Sequence, residues 1–278
     1  MSDPVEKQLF DAAGVGGVEE VSSLLRDHPG LNVNWTNHVR FTPLHVASLE
    51  GHVEIVKLLL AHPHINVNLK NRGGLTPFSF ACLRVWVPVV RVLLKDPRVD
   101  VTPHDTMGRT SLWNAACFGN HEVIEWLIAS GRDLEDVMTQ TAKMDQNDRR
   151  VTSLEIAEKN RKTEAVSVLQ RFIKNPALTR HEVRVKLGEL DELAAEVFAL
   201  TVFLCDDLLQ FKPASHPAAT PKPAAAATRF FAIASKLPME LQMILCHRAV
   251  GSMKQNILHQ DSEAAFKSLA RVLLTQTN

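Results

Sequence analysis

Thr42-Pro43-Leu44-His45 returns as Thr76-Pro77-Phe78-Ser79 and again as Thr110-Ser111-Leu112-Trp113, at a constant step of 34 residues. No other feature constrains the fold as much. A fixed step of this size marks stacked supersecondary units, each touching only its neighbours, rather than one core closed by long-range contacts. It also directs function towards binding rather than catalysis.

The period reaches beyond these three copies. Ala47 has counterparts in Ala12, Ala81, Ala115 and Ala157; Val56 in Val21, Val90, Ile124 and Val166; Leu59 in Leu24, Leu93, Leu127 and Leu169. Five units emerge, near 5–38, 39–72, 73–106, 107–146 and 147–175. Each reads as two short helices. Thr42 is a good N-cap and Pro43 suits the first helical position, where no N–H is needed. Leu44 and Ala47 face inward, Gly51 ends the helix, and Val53, Val56, Leu59 and Leu60 form the stripe of the second one. Helices this short need stacking for stability. Asn71 to Gly74 and Asp105 to Gly108 carry β-turn chemistry between units.

These residues resemble the ankyrin repeat: Thr-Pro-Leu-His, then Ala47, Gly51-His52, Val56, Leu59-Leu60 and Asn66-Val67-Asn68. The resemblance spans roughly 5–175 and implies an all-α solenoid of helix–turn–helix units with β-turn fingers. It implies that His45 holds turns together through its ring nitrogens. Two departures stand out. Val85 replaces the helix-ending glycine of the third unit, with Trp86 where histidine is usual and Pro88 after it, so that turn is expected to be distorted. The step from Thr110 to Thr152 is 42 residues, which places eight extra residues near 135–150 and lengthens one finger.

Ankyrin domains bind proteins through finger tips and the exposed side of the first helices. Carried onto this chain, those positions hold Phe41, Arg72, Leu75, Met107, Arg109 and Arg149 on the fingers. On the helices they hold Leu49, Glu50, Leu83, Arg84 and Phe118. His38, Val151, Cys117, Lys159 and Asn160 occupy further positions of the same kinds. Exposed aromatic, Met and Arg side chains are what interfaces favour; the alternative is that Leu75 and Leu83 simply pack between units.

The other features narrow the field. Thirty-one basic and thirty-one acidic side chains give no net charge, so nucleic acid is not expected as a partner, although local basic patches are allowed. Cys82, Cys117, Cys205 and Cys246 are far apart, with neither zinc nor disulfide spacing, as in an intracellular protein. The opening residues lack a signal-peptide core, and the longest apolar run, 193–205, is too short to span a bilayer. The expected compartment is cytoplasmic and/or nuclear. Gly14-Val15-Gly16-Gly17 aligns with an inter-helix turn, not a phosphate loop. His62-Pro63-His64 starts a repeated loop and has no further metal ligands nearby. Asp206-Asp207 lacks the partners of an acid–base dyad, and no catalytic motif is present. No enzyme, cofactor or metal is expected.

The rhythm stops at Asn175. Residues 176–211 read as a helical extension, opened by a capping box at Thr179–Glu182 and carrying a seam of Leu190, Leu193, Val197, Leu200, Leu204 and Leu208. It suits a cap or a self-association element that would make the protein an oligomerising scaffold. Residues 212–228, rich in Pro and Ala, read as a linker. In 229–278, Leu237-Pro238-x-x-Leu241-x-x-Ile244-Leu245 resembles the opening of an F-box, a helix that recruits a ubiquitin-ligase adaptor. That resemblance implies a substrate receptor whose repeats hold the client. The other reading folds this segment back onto 190–208. The tail is also loosely similar to those of fungal-type ankyrin proteins.

Overall fold

The computed structural model describes residues 4–144, 149–205, 230, 231, 234, 237, 239–252, 254 and 257–276. Asp206-Asp207, Leu208, the 212–228 linker and Pro238 lie outside the described residues, as do the side chains of Phe203, Leu204 and Cys205. The chain forms two compact units, Met1–Val183 and Arg184–Asn278.

The first unit is a stack of helix pairs: α1 (Val5–Val15) and α2 (Val18–Asp27), α3 (Pro43–Glu50) and α4 (Val53–Leu60), α5 (Pro77–Leu83) and α6 (Val87–Lys95), α7 (Ser111–Phe118) and α8 (His121–Ala129), α10 (Ser153–Lys159) and α11 (Thr163–Lys174). First helices pack on first helices and second helices on second helices. The repeated alanine is buried in all five pairs, so the first helices can approach closely. Thr42, Thr76, Thr110 and Thr152 each cap a first helix, accepting from the backbone N–H three residues on. The stripe of α4 is Ile55, Val56 and Leu59, with Val53 and Leu60 only half-buried.

The turn between paired helices is the same throughout. Gly16, Gly51 and Gly119 adopt φ of 84°, 83° and 80°. Val85 takes the same left-handed conformation (φ 59°), and Trp86 N–H donates to Ala81 O at 3.0 Å, as His52 N–H does to Ala47 O at 2.9 Å. The expected distortion is therefore absent. The stack dictates the turn, and the cost is carried as backbone strain in a β-branched residue, on the order of 1–2 kcal/mol.

The unit-to-unit bonds recur along the array. His45 Nδ1 accepts from Thr42 N–H (3.1 Å), which leaves Nε2 to donate to Leu75 O (3.2 Å) in the next unit. Trp113 does the same with its indole, donating to Val151 O at 3.1 Å. At the inter-helix turns His52 Nε2 donates to Gly14 O (3.0 Å), Trp86 Nε1 to Leu49 O (2.8 Å) and Asn160 Nδ2 to Cys117 O (3.0 Å). In the outer loops Asn66 N–H donates to Asn34 Oδ1 and Asp100 N–H to Asn68 Oδ1. Arg98 and Arg132 cap the ends of α4 and α6 through Leu60 O (2.7 Å) and Leu94 O (3.2 Å).

The extra residues after α8 form α9 (Glu135–Thr139) and a pair of antiparallel strands, β1 (Ala142–Lys143) and β2 (Arg150–Val151). Leu134, Val137 and Ala142 bury this insertion against the stack.

Helix α12 (Pro176–Lys186) opens earlier than the Thr179–Glu182 capping box suggests. Asn175 Oδ1 accepts from Leu178 N–H (3.1 Å) and Pro176 follows it, so the cap is Asn175; Thr179 is buried inside the helix. Arg180 donates to Ile128 O (3.1 Å) and lies over Phe172. Residues 60, 94 and 128 are one period apart, so Arg180 does for α8 what Arg98 and Arg132 do for α4 and α6.

In the second unit α13 (Glu189–Cys205) packs against α14 (Met239–Ala249) and α15 (His259–Gln276). The buried face of α13 is Leu190, Ala194, Ala195, Phe198, Ala199 and Thr201; Leu193, Val197 and Leu200 of the expected seam are half-buried at its margin. Small residues at the contact let helices approach, and Ala195 and Ala199 meet Ala265 with Phe266 and Leu269 around them. Phe198 and Phe266 meet edge to face, with ring centroids 6.2 Å apart. Among the described residues no helix is long and apolar enough to cross a membrane.

Candidate functional site

The fingers are built by one device used three times. Asn37 Oδ1 accepts from Val39 and Phe41 N–H, Asn71 Oδ1 from Gly73 and Leu75 N–H, and Asp105 Oδ1 from Met107 and Arg109 N–H. A short polar side chain at the start of each finger thus replaces the backbone partners that the turn removes. The last position of these turns is left-handed in Arg40 (φ 64°), Gly74 (81°) and Gly108 (80°). Neighbouring fingers are joined by Arg72 N–H to Val39 O, Thr106 N–H to Gly73 O and Lys143 N–H to Met107 O. The result is a continuous rail from 37 to 143, with β1 and β2 as its extension. Side chains on the rail are held on a fixed backbone, which is what a binding surface needs.

A family model for the ankyrin repeat matches residues 40–72, and one for three consecutive ankyrin repeats matches residues 63–140. The chain carries ankyrin repeats. They form the helical solenoid described above, and ankyrin repeats are generally protein–protein interaction modules. No curated protein matches the chain.

Along the ankyrin fingers, Arg72 and Arg149 are exposed. Met107 and Leu75 are half-buried, and the Leu75 carbonyl receives His45. Phe41 is half-buried because its ring packs on Phe80 (5.0 Å between centroids) and on His45 (5.5 Å). Arg109 is bound to Asp105 Oδ2 (2.8 Å) and leans over Trp113 (5.8 Å). Phe41 and Arg109 therefore spend part of their surface on the stack itself. On the first helices Glu50 and Arg84 are exposed, Leu49 and Leu83 are half-buried, and Phe118 is 59% exposed. Phe118 stands at the end of α7, beside the left-handed Gly119.

Three residues of this surface escape a reading by motif. Arg40 replaces a finger glycine, Arg150 sits on β2, and Trp86 keeps 42% of its surface exposed while its indole N–H is bonded to Leu49 O. Aligning position 40 with Gly74 and Gly108 would have found the first.

His45 is fully buried, and burial is the main reason its pKa falls to about 4; the hydrogen bonds to backbone carbonyls, Leu75 first, only partly oppose this. The ring is neutral at physiological pH and acts as a fixed donor–acceptor. Cys82, Cys117 and Cys246 are free thiols, and burial raises all three. None has the lowered pKa of a nucleophile. His62 and His64 face each other at 5.8 Å, and His62 Nδ1 accepts from the His64 backbone N–H, which starts the loop and occupies a would-be ligand atom.

In the second unit, α14 begins at Met239. Leu241 is 48% exposed, Leu237, Ile244 and Leu245 are half-buried, and the buried face is Gln242, Cys246 and His247. Leu241 thus does not share a buried face with the other apolar residues of the F-box-like pattern. The face turned inward is polar enough to need bonds, and Gln242 Nε2 donates to Leu237 O at 2.9 Å.

Proposed function

We propose that the protein is a non-enzymatic binding module that holds a protein partner against its fingers and first helices. The observation that carries this reading is Phe118, a large aromatic side chain exposed on a rigid helix end, with Arg84 at the equivalent place of the preceding unit. Aromatic and arginine anchors dominate interface energetics. Leu49 and Leu83 would supply the apolar floor, and Arg72, Met107 and Arg149 the finger contacts.

The test is affinity capture with the Phe118→Asp/Arg84→Glu variant, both substitutions being at exposed positions. Thermal unfolding is expected to be unchanged and the captured partner lost. Retention of the partner at wild-type level would sink the reading.

A second reading is that of a ubiquitin-ligase substrate receptor. It is favoured by one observation: Met239 (60% exposed) and Leu241 leave an apolar edge on α14. Co-purification of a ligase adaptor that depends on residues 229–278 would support it. Self-association through 190–211 is less favoured, because α14 and α15 already cover α13 within the chain.

A further inference from the structure

The neutrality of the whole chain conceals a local imbalance. In three consecutive units, the spans 37–50, 71–84 and 105–118, which make the fingers and first helices, hold four arginines and two carboxylates. The spans between and after them, 51–70, 85–104 and 119–140, hold eight carboxylates and six Lys or Arg. One of the two carboxylates on the finger side, Asp105, is buried and already bound to Arg109. Arg40, Arg72 and Arg84 are therefore exposed against Glu50 alone in these spans. Among the described residues none of the three guanidinium groups has a hydrogen-bond or ion-pair partner.

We propose that this surface takes an extended acidic segment of the partner protein. The inference rests on the binding surface proposed above and names its ligand class. A guanidinium offers a planar fork that matches a carboxylate, and an unpaired one held on an ordered turn loses little freedom on binding. Arg40 and Arg72 stand on successive fingers. Units packed helix on helix are separated by about 8–10 Å, a distance that one three-residue turn of an extended polyproline-II chain covers while bringing every third side chain back to the same face. A segment with an acid at every third position would meet one arginine per finger and turn its apolar side chains towards Leu49, Leu83 and Phe118. A phosphate backbone fits less well. Binding to it rests on neutralising many charges, and here Glu50 and apolar side chains interrupt a short row.

The test is fluorescence anisotropy of the full chain with a short labelled peptide carrying Glu at every third position between Leu and Ser. A Lys-for-Glu peptide and a single-stranded oligonucleotide serve as controls. The Glu peptide is expected to bind, and the Arg40→Glu/Arg72→Glu variant, with unchanged thermal unfolding, to weaken it at least about tenfold. Failure of the Glu peptide to bind, indifference to the double variant, or equal binding of the Lys peptide or the oligonucleotide each overturns the proposal. The outcomes separate from those of the Phe118→Asp/Arg84→Glu capture. Loss of capture without Glu-peptide binding removes the acidic ligand and leaves the surface standing. Glu-peptide binding with capture retained removes the surface reading instead.

Discussion

The indole of Trp86 fills the space in which a side chain on Gly51 would begin: Cδ2 lies 2.6 Å from the position a Cβ would take there. His52 stands over Gly16 in the same way (2.9 Å), and Lys162 over Gly119 (2.7 Å). The glycines are thus required twice, once for φ and once for the neighbour. At the remaining junction the turn residue is Val85 and the residue at the place of His52 and Trp86 is Asn120, whose Nδ2 is buried without a partner among the described residues. The side chain of Val85 and the missing staple belong together.

A double-mutant cycle tests this. Val85→Gly alone is expected to stabilise by about 1 kcal/mol through release of left-handed strain, against the usual effect of adding a glycine. Asn120→His alone has no room for its ring and is expected to destabilise. With both substitutions, the imidazole can lie over the bare backbone left at position 85 and donate to the carbonyl of Leu83. The pair is expected to show favourable coupling of about 1 kcal/mol or more in urea unfolding. Strict additivity would refute the link.

The same junction lacks the first staple. His45 reaches Leu75 O and Trp113 reaches Val151 O, but the hydroxyl of Ser79, their equivalent, meets Thr76 and Ser111 instead, at 3.1 and 3.2 Å. Between the third and fourth units the array keeps the finger bond of Thr106 and the Arg132 cap, yet loses both staples. Native-state hydrogen exchange is expected to resolve two cooperative blocks meeting between α5–α6 and α7–α8. One uniform protection level across the stack would contradict it.

His45 makes stability depend on pH. Its folded pKa, about 4, lies below the unfolded value of 6.5, so the unfolded chain binds the proton more readily. Its contribution is complete above pH 6.5, falls as pH drops from 6.5 towards 4, and levels off below. The shift corresponds to about 3 kcal/mol as an upper figure. Urea unfolding at stepped pH is expected to show this slope, and His45→Gln to flatten it; an equal slope in the variant would assign it elsewhere.

Arg180→Ala frees Ile128 O and, at 3.4 Å, Arg132 O of their partner. The loss is expected to be about 1–2 kcal/mol, with earlier exchange of α12 amides than of α11. A Lys at this position cannot reproduce the fork and is expected to recover only part.

Much of the stack is legible in the sequence, because Thr caps, buried Ala and left-handed Gly each answer to a single local requirement. The staples are not. A donor aimed at a carbonyl one unit away is defined by reach, so Trp113 serves for His45 and Trp86 for His52, although no propensity connects them. The start of α12 is ambiguous in sequence because Asn175-Pro176 and Thr179–Glu182 offer rival caps, and burial of Thr179 decides between them. The buried face of α13 is drawn by its alanines, whereas a pattern of leucines points elsewhere. On the proposed binding surface, position alone marks Phe118 and Arg84 as candidates. Only geometry shows that Arg109 is already engaged and that Arg40 is free.

The arginines that follow α6 and α8 also bear on how such an array ends. Each places its guanidinium on a carbonyl that closes the outer helix of the preceding unit. Lys174, at the corresponding place of the fifth unit, is exposed, and α12 supplies Arg180 instead. By the same register a unit appended after residue 175 would reach for the end of α11, not of α8, so Arg180 serves the fifth unit alone. The last outer-helix cap of the array is thus supplied from outside the repeats, and the carbonyls of α8 depend on α12 for it.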